Sequence, residues 1–203
     1  MTGIELMKEH YKIADKPVIL SPYGSNVYGT ASTNSDDDLI CVVPDNAGIL
    51  TGTEYRKDKL NVQFYTRKDF QDQLNIHKVV PLECFMNPNE EKLPAQFKFK
   101  LNLVSLRHEW SAKASNSWVK AKKKIEVERD YYVGWKSLFH SLRILTFGIQ
   151  IAEKGTITDY GAANHHWIDI RDAQQYNWDY FKEKYQPEYN RLCTEFRKLA
   201  PKE

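Results

Sequence analysis

Between residues 131 and 152, only Lys136, His140 and Arg143 carry a side chain of the Lys, Arg, His, Asp or Glu type. The rest of "YYVGWKSLFHSLRILTFGIQIA" is mostly Tyr, Val, Trp, Leu, Phe and Ile. Asp130 precedes the stretch and Gly155 follows its last residues, a good position for glycine just past a helix end. One long helix over roughly residues 130–154 is predicted. A helix this apolar around its circumference must be enclosed by other elements. The back half of the chain is therefore expected to be a helical assembly. The three ionisable residues stand four and three apart, on one helical stripe. Charge placed in an apolar setting is costly unpaired, so the stripe needs a partner, either a structural carboxylate or a bound phosphate.

The front half has a different rhythm. Val18-Ile19-Leu20 fits a brief buried strand, with Pro22-Tyr23-Gly24 turning the chain after it. Leu39–Val43 reads as a second strand, ended by Pro44-Asp45, with a polar loop to about residue 58. Leu60, Val62 and Phe64 alternate with Asn61, Gln63 and Tyr65, the pattern of a half-buried third strand. Phe70, Leu74 and Ile76 suggest a helix. Phe97, Phe99, Leu101 and Leu103 alternate with polar residues and predict another strand. Residues 3–14 read as a short helix. Trp178, Tyr180, Phe181 and Tyr185 read as the core face of one or two terminal helices around Pro187. The expected class is α+β: a small mixed sheet with flanking helices over residues 1–104, then an all-helical half over 105–203.

Composition narrows the partners. The 29 basic and 27 acidic residues nearly cancel, so net charge alone selects neither a nucleic acid nor a membrane surface. Three scattered cysteines, Cys41, Cys84 and Cys193, make neither a disulfide framework nor a zinc site. No apolar run approaches the ~20 residues of a membrane span, and the polar start of the chain is unlike a signal peptide. A cytoplasmic protein without a membrane partner is expected.

Within "YGSNVYGTASTNSDDDLICVV", three aspartates run straight into an apolar strand. In an extended strand Asp36 and Asp38 project to the same side and Asp37 to the other. Two convergent carboxylates make a hard, oxygen-rich site suited to Mg²⁺ or Mn²⁺. Upstream, Gly24-Ser25 lets a phosphate approach the backbone, and Gly29-Thr30 provides a second turn back toward the aspartates. A phosphate cradle beside a metal pair is the equipment of phosphoryl or nucleotidyl transfer.

The succession Gly24-Ser25, Tyr28-Gly29-Thr30 and Ser35-Asp36-Asp37-Asp38-Leu39 resembles the signature of the polymerase-beta-like nucleotidyltransferase superfamily. Within it, the chain looks most like the bacterial and phage group described as RNA-repair-pathway nucleotidyltransferases. Val79–Phe85, with Leu82, Glu83 and Phe85, is similar to a later segment of that group. Lys136, His140 and Arg143 are similar to its K-x₃-H-x₂-R helix. The resemblance implies a nucleotidyltransferase core and the transfer of a nucleoside monophosphate from an NTP to an acceptor hydroxyl on RNA, a nucleotide or a protein. It also implies that Asp36 and Asp38 hold Mg²⁺ (or Mn²⁺). Gly24, Ser25, Tyr28, Gly29, Ser35, Lys136, His140 and Arg143 then belong to the nucleotide site. Active members usually carry a third carboxylate on the next strand. Here that strand has Asn61 and Gln63, and only Asp58, Glu54 or Glu83 are left as substitutes. A catalytically inactive nucleotide-binding or protein-interaction module is the alternative. No residue pattern specifies the base, the acceptor or the oligomeric state.

Two weaker patterns have plain expectations. Lys120, Lys122, Lys123 and Lys124 read as a solvated helix face, and His165-His166 as loop histidines.

Overall fold

The computed structural model describes residues 19–202, so the helix expected over residues 3–14 lies outside the described residues. The chain is α+β and divides into two compact units. One comprises residues up to Asn75 together with Val80–Phe99; the other comprises Ile76–Val79 and Lys100–Glu203.

The first unit is built on a four-stranded mixed sheet of order β1-β2-β4-β3. Strand β1 (Ile19–Tyr23) pairs antiparallel with β2 (Asp37–Val43), and β2 pairs parallel with β4 (Leu60–Thr66). Strand β3 (Glu54–Lys57) forms a hairpin with β4 through Asp58, whose φ of 53° is a left-handed conformation that Asp tolerates. Parallel neighbours need a crossover. Here residues 44–53 and β3 provide it, and Ala47 and Ile49 pack over one sheet face against Cys41, Val43, Val62 and Phe64. Burying Phe64 alone is worth about 1.5–3 kcal/mol. Pro22 does not turn the chain: it lies inside β1, an edge strand where a missing N–H costs no ladder bond. Strand β3 falls where a loop was expected, because Glu-Tyr-Arg-Lys shows no apolar alternation.

Short helices flank the sheet: α1 (Ser25–Tyr28), α2 (Arg67–Asn75), α3 (Val79–Phe85) and α4 (Lys92–Gln96). Phe70 on α2 meets the Tyr65 ring edge-on at 5.9 Å and the Phe97 ring at 4.8 Å. The strand expected around Phe97–Leu103 is absent. The alternation is real, since Phe97 is buried and Lys98 exposed, but among the described residues no strand lies alongside. The Gln71 side chain takes that role, accepting from the Lys98 N–H at 3.0 Å and donating to its carbonyl at 2.7 Å.

The second unit is helical. Helix α5 (Leu103–Glu126) starts at Asn102, whose side chain accepts the Ser105 N–H at 3.0 Å. Helix α6 (Tyr131–Lys154) is capped by Asp130 and closed by Gly155 at φ 74°, as expected. Fifteen of its 24 residues are buried, which is why so few can carry charge. Helices α7 (Asn164–Asp172) and α8 (Trp178–Leu199) complete the unit. Gly148 of α6 lets α8 approach: a Cβ there would stand 3.0 Å from the Phe196 ring. Pro187 lies inside the single helix α8 on its exposed side, where the carbonyl it leaves unpaired is open to water.

Candidate functional site

The aspartate segment and the glycine bend belong to the sheet unit, and the backbone brings them together. Gly24 precedes α1 at φ 79°, ψ −156°, a region that favours glycine. Its missing side chain matters as much: a Cβ at Gly24 would lie 2.6 Å from Asp38 Oδ2. The bend therefore rests directly on the Asp38 carboxylate. Gly29, at φ 76° and ψ 24°, ends the single turn of α1. The Thr30 N–H donates back to the Ser25 carbonyl at 3.0 Å, and Ser25 itself is half-buried.

The three aspartates receive different settings. The strand begins at Asp37, so Asp36 lies just outside it and its orientation is not set by strand alternation. Asn26 of α1 clamps that approach, donating to the Asp36 carbonyl at 3.3 Å and to Asp37 Oδ1 at 3.0 Å. The Lys59 ammonium donates to the Thr33 carbonyl from the β3–β4 turn. Ser35 is turned into its own loop, its hydroxyl accepting the Ser32 N–H at 2.9 Å. Asp36 is exposed and Asp38 half-buried.

Asp38 stands between Tyr23 of β1 and Asn61 of β4, its direct cross-strand partners. Asn61 Nδ2 donates to Asp38 Oδ1 at 2.8 Å. The Asn61 Oδ1 on the other side of that amide is buried without a hydrogen-bond partner, a cost of about 1–3 kcal/mol. Burial, then the Asp38 carboxylate, pushes the Tyr23 phenol well above its ordinary range, so it stays protonated. Burial likewise raises Tyr65 to about 12, and its hydroxyl donates to Gln63 Oε1 at 3.0 Å.

Among the described residues, no acid takes the β4 position beside Asp38, which is Asn61. Asp58 occupies the β3–β4 turn. Glu54 pairs across the ladder with Gln63 and is bridged to Arg56 at 3.0 Å. Glu83 is buried and accepts the hydroxyl of Tyr28 at 2.5 Å. That bond also gives Tyr28, itself buried, a role in anchoring α1. Among the described residues, no group of three or more His, Cys, Asp or Glu is arranged to hold a metal ion. Mg²⁺ typically takes one or two carboxylates together with substrate phosphates and water. Asp36, exposed, and Asp38, half-buried, supply carboxylates of the type such an ion uses with phosphates and water; they do not make a cage for an ion held by protein alone.

In the helical unit the predicted stripe is graded rather than uniform. Lys136 is exposed, its ammonium 5.4 Å from the centre of the Tyr132 ring. Arg143 is buried, its guanidinium 5.1 Å from the Phe147 ring centre, and its Nη2 lies 2.7 Å from His140 Nδ1. Burial first, then Arg143, Lys113 and Lys120, hold His140 well below the usual imidazole range. The ring is neutral, with Nδ1 accepting from Arg143 and the proton on Nε2.

The lysine cluster is largely spent on acids: Lys122 meets Glu126 at 3.7 Å, Lys123 meets Glu128 at 3.0 Å, and Lys124 meets Glu128 at 2.5 Å. His165 and His166 lie on α7, not in a loop, with ring centres 3.9 Å apart. The Trp118 ring packs on Trp178 and Tyr189, at 5.3 and 4.5 Å.

Tyr23, Asn26 and Lys59 went unnoticed in the sequence. Only strand register brings Tyr23 opposite Asp38, and only the return of the chain places Asn26 and Lys59 at the 33–37 segment.

No family model matches the chain, and no curated protein matches it. Among solved structures, it is similar to a nucleotidyltransferase-like protein from Exiguobacterium sibiricum. The two are 12% identical over 97% of this chain and 72% of that one, with a TM-score of 0.31. A likeness that slight carries no weight for activity, which has to be judged from the site. No helix among the described residues is long and apolar enough to cross a membrane.

Proposed function

We propose that the chain binds a nucleoside triphosphate at the Gly24 bend and Asp38, and transfers its nucleoside monophosphate to an acceptor hydroxyl: the acceptor oxygen bonds to the α-phosphorus, pyrophosphate leaves, and the hydroxyl proton passes to water. The observation that supports this best is the closeness of Gly24 to Asp38, where a Cβ on the glycine would stand 2.6 Å from Oδ2. It unites a place where phosphate can approach main chain with a carboxylate able to carry the accompanying cation. Asp36 and Asp38 are the residues that would hold Mg²⁺ or Mn²⁺. When bound with the triphosphate, that ion would offset charge on the phosphates and favour an ionised acceptor hydroxyl.

The protein's own contributions follow from its side chains. Gly24 admits the phosphates, and Ser25 offers a hydroxyl to them. Gly29 and Tyr28 hold the turn of α1 in place, and Ser35 shapes the loop that leads into the aspartates. Tyr23, kept protonated, adds no second negative charge beside Asp38. RNA, a nucleotide or a protein would serve as acceptor.

A second reading, a nucleotide-binding module without turnover, is favoured by one observation: Asn61 stands where an active site of this type needs an acid. Incubation with Mg²⁺, each α-labelled NTP and RNA or protein acceptors separates the two. Label incorporated by wild type and lost in the Asp36→Ala, Asp38→Ala double variant is the expected result. Saturable NTP binding with no incorporation into any acceptor would establish the module instead. Absence of NTP binding would end both.

A further inference from the structure

Asn61 does more than leave a carboxylate out. In strand register it is the direct neighbour of Asp38, and its Nδ2 donates to Asp38 Oδ1 at 2.8 Å. The other Asp38 oxygen, Oδ2, rests against Gly24. A divalent cation needs carboxylate lone pairs that nothing else occupies, and the amide N–H brings its partial positive charge to one of them. The strand pair thereby carries one carboxylate rather than two, with an N–H on it, and does not require an ion to hold the two side chains together. Neither Asp58, Glu54 nor Glu83 competes for the place, each being committed elsewhere. The amide's own oxygen, buried and unpartnered, faces no donor that would turn the group around.

We propose that Asn61 acts as a neutral placeholder for the cation at Asp38, so that the nucleotide-free protein holds no divalent ion there. The idea deepens the nucleotide reading and rests on it in one respect: an ion that the strands do not retain has to arrive with the triphosphate. An aspartate at position 61 would face Asp38 with two carboxylates at hydrogen-bond range, an arrangement that demands a shared proton or a cation.

Mn²⁺ is the probe, followed by loss of the free-ion electron paramagnetic resonance signal on the full chain without nucleotide. Wild type is expected to show no saturable binding tighter than about 1 mM, the weak end of protein oxygen sites. Asn61→Asp is expected to bind at least about tenfold tighter, and its thermal midpoint to rise with Mn²⁺ while that of wild type stays still. Equal Mn²⁺ affinity in the two proteins would overturn the proposal. So would a saturable site tighter than about 1 mM in wild type alone, a measurement that stands even if Asn61→Asp does not fold.

A separate titration of wild type with Mn²⁺ and a non-hydrolysable NTP analogue tests the underlying reading. Uptake of one ion per chain supports it. No uptake there, with Asn61→Asp still gaining Mn²⁺ without nucleotide, would leave the role of Asn61 intact and sink nucleotide binding.

Discussion

A single absent methyl group defines the bend at Gly24. Its φ of 79° is strained for any other residue, and the 2.6 Å to Asp38 Oδ2 leaves a Cβ no room. Gly24→Ala is expected to cost about 2–4 kcal/mol, from backbone strain and the displaced carboxylate together. Amide hydrogen exchange should find the loss in β1 and β2. A substitution costing under about 0.5 kcal/mol, the range of an ordinary surface change, would show that the bend gives way easily. The same residue-scale logic distinguishes the aspartates. Asp38 was placed by strand periodicity and the structure gives it two cross-strand partners. Asp36 sits outside the strand, where a side chain from another element, Asn26, governs the backbone.

Among the elements, α6 is bound to its neighbours by close approach. A Cβ on Gly134 would come within 2.5 Å of Ile125 Cγ1 on α5. Gly134→Val is expected to destabilise the helical unit by about 1–3 kcal/mol through overpacking. Ile125→Ala in the same chain should return part of that, since the two sites share one space; strictly additive effects in the double-mutant cycle would refute the contact.

Helices α6 and α7 also carry the pH response. Burial, with His165 the next cause, lowers His166 to about 4, against the opposing pull of Glu188 and Asp169; Arg191 adds to the lowering. His140 is lowered by burial and by Arg143, Lys113 and Lys120. Both folded-state values lie below the unfolded one, so the unfolded chain binds the extra protons. Stability is complete above about pH 6.5 and falls as pH drops toward the folded values, by at most about 1.4 kcal/mol per pH unit for each ring. The paired acids Asp169 and Glu188 are shifted downward, so they lose their partners only at lower pH. Urea midpoints between pH 7 and 5 should decline accordingly, and less steeply in His166→Gln. A flat profile would contradict neutral burial of these rings.

At the scale of the whole molecule, the chain does not pass from sheet unit to helical unit once. Ile76–Val79 belongs with the helices, although Val80–Phe99 returns to the sheet unit. His77 is the fastening: its Nε2 accepts the Asn102 N–H at 2.9 Å, and its carbonyl accepts Trp110 Nε1–H at 2.8 Å. His77→Ala is expected to weaken the helical unit by about 1–3 kcal/mol, because the Asn102 N–H loses its acceptor. All five tryptophans lie between residues 110 and 178, so intrinsic fluorescence reports on the helical unit. An unchanged fluorescence midpoint in His77→Ala would show that the 76–79 segment is not holding α5.

How much was legible follows from what each element depends on. Helix α6 could be read to within a residue, because its apolar run and its two caps, Asp130 and Gly155, are local features. So could β4, whose alternation matches its burial except at Tyr65, which is buried as well. The extended run at 97–102 misled, since alternation records burial while a strand also needs a neighbour, and Gln71 substituted for one. Strand β3 was invisible because an edge strand buries too little to leave a pattern. For the candidate site, residue types and spacing were enough to nominate the Gly24 bend and the aspartates, and the family resemblance alone pointed to a missing acid. That Asn61 donates to Asp38, that Gly24 rests on the same carboxylate and that Glu83 is taken by Tyr28 were decided by register and packing. Local propensity is written along the chain, whereas a hydrogen bond between residues dozens of positions apart exists only once the strands have chosen their partners.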